Sequence, residues 1–326
     1  MSNNLILVTG SGGFLGGHLV ADLLRRGHDN IRAVDVKPFN RWHQIFPGTD
    51  NFQADLKEMS HCRRVMDDVG TVWNLSADMG GMFFIENNKA ACMLNVLINT
   101  NLLRAARDAM ASQYFFASSA CIYPDYKQMF HEVTPLKESD AYPAMPEDGY
   151  GWEKLFSERM CRHFMEDYDL DTKVYRFHNI YGPHGTYAGG REKAPAAFCR
   201  KAVEAKRTGV MEFEIWGTGR QTRSFTYIDD CIEGLHRLME SDEHGPLNLG
   251  SDEMVTIDGL VDIVEELAGI KATRIYRPDM PTGVPGRNSD NTLIKEKLGW
   301  APSIPLREGM RKTYDWIEAE MSELVP

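Results

Sequence analysis

The chain has 326 residues, 43% of them hydrophobic and 25% charged, with no low-complexity tract; this make-up predicts a globular α/β protein with one large unit and room for a smaller lobe. A net charge of -11 argues against a nucleic-acid partner, because phosphate backbones are held by excess Lys and Arg. No apolar run is long enough to span a membrane, the first residues lack the regions of a signal peptide, and the six cysteines form no Cys-x-x-Cys pair, so a reduced cytoplasmic setting is expected.

Over the first 120 residues short apolar runs alternate with amphipathic stretches, the rhythm of βα units feeding a parallel sheet. Strands are predicted at 5–9, 31–35, 71–75 and 113–118, and helices at 14–26, 61–69 and 89–110. A helix at 147–168, a strand at 172–177 and a helix at 229–241 follow. Beyond Phe177, clusters of Gly, Pro and aromatic residues break the rhythm, as loops over a binding cleft do. Helices at 257–268 and 306–321 belong to the smaller lobe. The expected fold is a doubly wound parallel Rossmann-type sheet over residues 1–175, with 225–250 returning to it, and a smaller C-terminal substrate-binding lobe over 176–326.

Gly10-Ser11-Gly12-Gly13-Phe14-Leu15-Gly16 joins the first strand to a helix. In that context the glycines allow a tight turn and bring a pyrophosphate onto the helix N-terminus, where free N–H groups attract anions. Asp35 ends the second strand, where a carboxylate accepts hydrogen bonds from ribose hydroxyls and repels a 2′-phosphate, favouring NAD over NADP; Lys37 is a counter-signal. Asp55 reads equally as an adenine contact or a surface turn.

Tyr-x-x-x-Lys occurs twice. Tyr123 to Lys127 has a proline after the tyrosine and lies in a loop, so it reads as accidental. Tyr150 and Lys154 open a stretch with helical spacing and stand one turn apart. A lysine beside a tyrosine favours phenolate and prepares Tyr150 to take a hydroxyl proton as hydride leaves the carbon. His178 and His184 have no third ligand at suitable spacing, so no metal is expected.

The glycine loop, Ser118-Ser119 and Tyr150-x-x-x-Lys154 together resemble the extended short-chain dehydrogenase/reductase superfamily of nucleotide-sugar enzymes. Longer blocks narrow this: Ala77-Asp78-Met79-Gly80-Gly81-Met82, Ala117-Ser118-Ser119-Ala120-Cys121-Ile122-Tyr123-Pro124 and Arg176-Phe177-His178-Asn179-Ile180-Tyr181-Gly182-Pro183. Gly189-Gly190-Arg191-Glu192-Lys193-Ala194-Pro195, Gln221-Thr222-Arg223-Ser224-Phe225 and Gly286-Arg287-Asn288-Ser289 continue it, and the whole is similar to the GDP-mannose 3,5-epimerase family.

That resemblance implies a bound NAD, C4 oxidation of the mannose ring with Tyr150 as base beside Lys154 and Ser119, and inversion of C5 and then C3 by Cys121 and Lys193. It implies GDP-L-galactose as product, and GDP-L-gulose when C5 alone inverts. Gly10, Gly13, Phe14, Leu15, Gly16, Asp35, Asp55, Tyr150 and Lys154 would hold the cofactor. Gly80, Ser119, Asn179, Lys193, Lys201, Gln221, Arg223 and Arg287 would hold the GDP-sugar, Arg287 and Lys201 suiting the diphosphate and Arg223 serving either the nucleotide or the lobe. Physical chemistry agrees in outline: a C4 ketone acidifies both neighbouring carbons, and inversion needs one group to remove a proton and another to return it on the opposite face. A thiolate base and an ammonium acid that stabilise each other are the expected state of the pair.

The same superfamily holds 4,6-dehydratases, which place Asp-Glu near Ala120-Cys121, and C4-epimerases, which give Cys121 and Lys193 no work; a non-catalytic NAD-binding sensor is the more distant alternative. Superfamily members commonly dimerise through the helices expected at 89–110 and 147–168, so a homodimer is expected. Residues 203–214 match the family poorly and are expected to form a loop of different length.

Overall fold

The computed structural model describes residues 5–323. Strand β1 (Leu5–Thr9) is buried along its length, and its side chains divide between two cores, Ile6 and Val8 on one face, Leu5 and Leu7 on the other. This is the two-residue period of a parallel strand with helices covering both faces.

After β1 come α1 (Phe14–Arg25), β2 (Ile31–Asp35), β3 (Asp50–Gln53), α2 (Met59–Val65), β4 (Val69–Asn74), α3 (Met82–Asn87) and α4 (Lys89–Met93). Then follow α5 (Asn95–Asp108), β5 (Gln113–Ser119), α6 (Tyr150–Tyr168), β6 (Asp171–Phe177), β7 (Ile180–Tyr181), α7 (Ala194–Thr208), β8 (Glu212–Trp216) and β9 (Thr222–Ser224). The rest comprises β10 (Thr226–Tyr227), α8 (Ile228–Glu240), β11 (Leu247–Leu249), β12 (Met254–Thr256), α9 (Ile257–Ala268), β13 (Thr273–Arg277), β14 (Gly286–Arg287), α10 (Thr292–Leu298) and α11 (Leu306–Glu323).

Seven strands make one sheet in the order β11-β6-β5-β4-β1-β2-β3, parallel throughout. The chain winds outward from β1 in both directions, so the carboxyl ends of β1 and β4 border the crevice where such sheets bind ligands. On one face Cys62 and Val65 of α2, Ile98 and Leu102 of α5 and Cys161 of α6 meet Leu5 and Leu7. On the other, Leu19 and Leu23 of α1 and Cys231 and Leu235 of α8 share a core that runs on into the smaller lobe through Phe198 of α7, Leu260 of α9 and Met310 of α11. The lobe adds a parallel pair, β8 with β13, and a short sheet in the order β12-β9-β14. No helix among the described residues is long and apolar enough to cross a membrane.

Three expectations change. Residues 203–214 are not a loop: α7 runs to Thr208, ends on left-handed Gly209, and β8 starts at Glu212. The helix expected at 89–110 is two helices that meet at Leu94. The one expected from 147 starts at Tyr150, because Gly149 takes a φ of 79° outside the helical range and leaves Glu147 and Asp148 in the preceding loop.

Beneath the sheet's carboxyl edge lies a buried ion pair, Arg176 donating to Glu158 at 3.0 Å from Nε and 2.8 Å from Nη2. Ser118 donates to the same carboxylate at 2.5 Å, and Arg176 Nη1 reaches the Tyr123 hydroxyl at 3.2 Å and the Glu138 carbonyl at 2.7 Å. Arg176→Met strands the Glu158 carboxylate and should cost about 3–5 kcal/mol of stability. Denaturant unfolding measures this, and a loss near zero would contradict the pair's structural role.

Candidate active site

The glycine loop is shaped by backbone crowding. A Cβ on Gly16 would stand 2.3 Å from the Gly10 carbonyl oxygen, so the turn and the first turn of α1 interlock closer than any side chain permits. Gly13 caps α1 without a side-chain hydrogen bond, which leaves first-turn N–H groups for an anion. Phe14 packs edge-on against His18 and Leu15 lies against the core, so both shape the loop apolarly. Asp35, buried at the end of β2, accepts the Lys37 backbone N–H at 2.9 Å. The Lys37 ammonium turns away to the Gly12 carbonyl at 3.2 Å. Asp55 accepts the Lys57 N–H at 3.0 Å and turns the chain into α2. An uncapped helix start, a glycine cradle and a buried strand-end carboxylate fit a dinucleotide.

Strand alternation separates the two serines of β5: Ser118 faces Glu158, while Ser119 accepts the Cys121 N–H at 3.1 Å and caps the short 3₁₀ turn Ala120–Ile122. Helix α6 packs directly on that turn, since a Cβ on Gly151 would lie 2.2 Å from the Cys121 carbonyl oxygen. Tyr150 and Cys121 thereby enter one apolar cluster with Ile85 and Cys92. Lys154 lies one turn on, its ammonium 5.6 Å from the Tyr150 ring centre and 4.8 Å from that of Phe116.

Burial, reinforced by Cys121, holds the Tyr150 phenol well above its ordinary range, with the Ser119 hydroxyl pulling it back. Burial pushes the Lys154 ammonium down, against the pull of Glu153. Burial and the Glu147 carboxylate push the Cys121 thiol up to about 11, despite the Arg287 guanidinium.

Lys193 reaches this cluster through a strap between loops. The Gly81 N–H donates to the Arg191 carbonyl at 3.1 Å, and Arg191 Nη1 donates to Asp78 Oδ1 at 2.7 Å and to the Met79 carbonyl at 3.1 Å. Its guanidinium lies 3.8 Å from the centre of the Phe84 ring, and a Cβ on Gly80 would come within 3.3 Å of the Arg191 side chain. The strap sets Lys193 at the cap of α7, where burial lowers its pKa and Cys121 and Cys231 raise it. Burial thus shifts the thiol up and the lysine down, opposite to the shifts that a mutually stabilised thiolate and ammonium would show.

Arg287 lies at the thiol: Nη1 to Cys121 Sγ is 3.5 Å, and Nε donates to Gln128 Oε1 at 2.6 Å. Lys201 points elsewhere, donating to the Glu214 carbonyl at 2.5 Å, so the two cations share no partner. Arg223 is spent on the carbonyls of Thr222 and Thr282 at 2.7 and 2.9 Å, and burial beside Arg287 lowers its pKa to about 10. Gln221 is buried with Oε1 unpartnered, and Asn179 donates to the Ser224 carbonyl at 3.1 Å. Glu147, which acts on the thiol, and Gln128, which holds Arg287, are not marked by any sequence motif; a carboxylate just ahead of the Tyr150 helix is the available signal. Among the described residues no cluster of His, Cys, Asp and Glu is arranged to hold a metal ion.

A glycine-cradled βα turn at the switch point of a parallel sheet and a buried Tyr150–Lys154 pair at the start of α6 are the parts of a nucleotide-dependent enzyme of the epimerase/dehydratase type. Residues 6–250 match the NAD dependent epimerase/dehydratase family, and the chain belongs to that family. It is 49% identical to GDP-mannose 3,5-epimerase 1 of Oryza sativa subsp. indica, over 98% of this chain and 82% of that one. To GDP-mannose 3,5-epimerase of Arabidopsis thaliana it is 48% identical, over 99% and 84%. Among solved structures, UDP-glucose 4-epimerase of Thermotoga maritima with UDP-glucose shares the fold at a TM-score of 0.86 and 23% identity, over 97% of this chain and 99% of that one.

Proposed function

We propose that the chain converts GDP-D-mannose to GDP-L-galactose, and to GDP-L-gulose when C5 alone inverts. The observation that carries this reading is that Cys121, just past the carboxyl end of β5, packs in one cluster with Tyr150 and acts electrostatically on both Tyr150 and Lys193. When bound, NAD would supply the hydride acceptor for C4 and the hydride for its reduction; Gly10, Gly13 and Gly16 would hold its pyrophosphate against α1 and Asp35 its ribose, with Lys154 beside Tyr150.

Tyr150 Oη takes the proton of the 4-hydroxyl as C4 becomes a ketone, and returns it when the ketone is reduced. The ketone acidifies C5 and C3. One member of the Cys121–Lys193 pair removes the carbon's proton and the other delivers a proton to the opposite face, so the pair's proton count is unchanged after each inversion. Ser119 holds the turn that aims Cys121, and Gly80 lets the strap approach. Arg287 would serve the hexose end, and Lys201, Asn179, Gln221 and Arg223 would serve the rest of the GDP-sugar. A 4,6-dehydratase would need a carboxylic acid where Cys121 stands, and a C4-epimerase leaves the thiol–amine pair idle.

The protonation states fix the pH response. The fully protonated pair, thiol with ammonium, has no base. Losing one proton creates the competent pair, and Lys193, lowered from 10.5, sets that loss below its ordinary value. Losing the second, from Cys121 at about 11, removes the acid. Solvent exchange at C5 should therefore rise with pH along a limb below 10.5 and fall near 11; a rate flat across that range would contradict the assignment. The function itself is tested by incubating purified protein with GDP-mannose and separating the hexoses released by acid. Galactose and gulose support the reading, whereas a 6-deoxy-4-keto sugar would support the dehydratase.

Two finer points belong with this proposal. Leu97 of α5 and Trp152 and Phe156 of α6 are 42%, 43% and 54% exposed on neighbouring helices, an apolar stripe that supports a homodimer through those helices. All six cysteines are unbridged, which supports a reducing, cytoplasmic setting.

A further inference from the structure

Glu147 enters the chemistry above only through its charge on Cys121, yet its side chain ends beside the reacting thiol. Its backbone N–H donates to the Cys121 carbonyl at 2.9 Å, and its own carbonyl accepts the Gly151 N–H at 3.0 Å, so Glu147, Cys121 and the start of α6 move as one body. The side chain is 14% exposed, and its Oε1 is buried without a hydrogen-bond partner.

Arg287 stands opposite, its side chain 7% exposed. Nε is taken by Gln128 and Nη1 by Cys121, while Nη2 is buried without a hydrogen-bond partner. Nη2 lies 3.6 Å from Glu147 Oε2, a charge contact too long for a direct hydrogen bond. An acceptor and a donor are thus left orphaned together next to Cys121, an arrangement native interiors avoid unless a ligand answers both.

The pairing selects the ligand. A phosphate would satisfy Nη2 but be repelled by the carboxylate; a sugar hydroxyl accepts from Nη2 and donates to Oε1. We propose that Glu147 and Arg287 form a clamp for one hexose hydroxyl that seats the sugar against Cys121, with Glu147 touching the substrate directly. The clamp rests on the epimerase reading, and it places the hydroxyl-bearing ring, not the diphosphate, at Arg287.

Calorimetric titration of the cofactor-loaded full chain with GDP-mannose, and with its analogues lacking the hydroxyl at C2, C3 or C6, tests it. Glu147→Ala should weaken GDP-mannose binding about 10- to 100-fold, the range for a hydrogen bond to a charged group. Glu147→Gln keeps an acceptor oxygen in place and should lose less than about 5-fold. Against the analogue that lacks the gripped hydroxyl, Glu147→Ala and the unchanged protein should bind alike, while the penalty persists with the others. Unchanged binding by Glu147→Ala, or one penalty for every analogue, overturns the clamp and leaves Glu147 a prop for the turn or a seat for water. Unchanged protein that binds GDP-mannose but exchanges no hydrogen at C5 defeats the epimerase reading instead, which separates the two failures.

Discussion

Cys121→Ala should slow hydrogen exchange at C5 and C3 by about 10²- to 10⁴-fold, the usual contribution of a positioned acid or base, while C4 oxidation proceeds. The thiol lies in a small apolar cluster with Ile85, Cys92 and Tyr150, where alanine fits and removes only Sγ. Its polar neighbours are Glu147, Ser119 and Arg287, the last at 3.5 Å and keeping its own bond to Gln128. The fold and the Tyr150–Lys154 pair should therefore survive. Lys193 alone then lacks a partner on the other face of the ring. Single-turnover absorbance of the nicotinamide follows C4 oxidation, and NMR follows exchange at the two carbons. Full exchange in this variant would remove Cys121 from the mechanism.

Tyr150→Phe should lose C4 oxidation by a similar factor, about 10²- to 10⁴-fold, because the 4-hydroxyl then loses its positioned proton acceptor. Phenylalanine keeps the ring that Lys154 approaches at 5.6 Å and the packing against Cys121. Everything downstream falls with it: without the ketone, the hydrogens on C5 and C3 are not acidic enough for the thiol and amine to remove. The two variants separate the steps, Cys121→Ala oxidising without exchange and Tyr150→Phe doing neither. Exchange at C5 that survives in Tyr150→Phe would contradict the order of events.

Local pattern carried much of this. The stretch from β1 through the glycine loop to α1 shows in neighbouring residues, since an apolar strand, a tight turn and a helix start each leave a short-range mark. The Tyr150–Lys154 pair shows for the same reason, helical spacing. Helix α7 is less visible although Ala194 to Thr208 is rich in helix formers and opens with proline at its start; only its end, from Val203, lies in the stretch that matches the family poorly. The lobe's strands β7, β9, β10 and β14 have two or three residues, too few for any period, and exist only because long-range partners hold them. The strap that delivers Lys193 joins residues 113 apart, and the protonation of Cys121 depends on burial and on Glu147 and Arg287. No reading of single motifs contains that environment, so the opposed shifts of the thiol and the lysine come from packing.

The most direct test is the unchanged protein incubated with GDP-mannose in D₂O, with the hexose then read by NMR. Deuterium should enter at C5 and C3 while C4 keeps its original hydrogen, because the hydride is held and returned within the site as protons pass through Cys121 and Lys193. Deuterium at C4, or none at C5 and C3, would contradict the account.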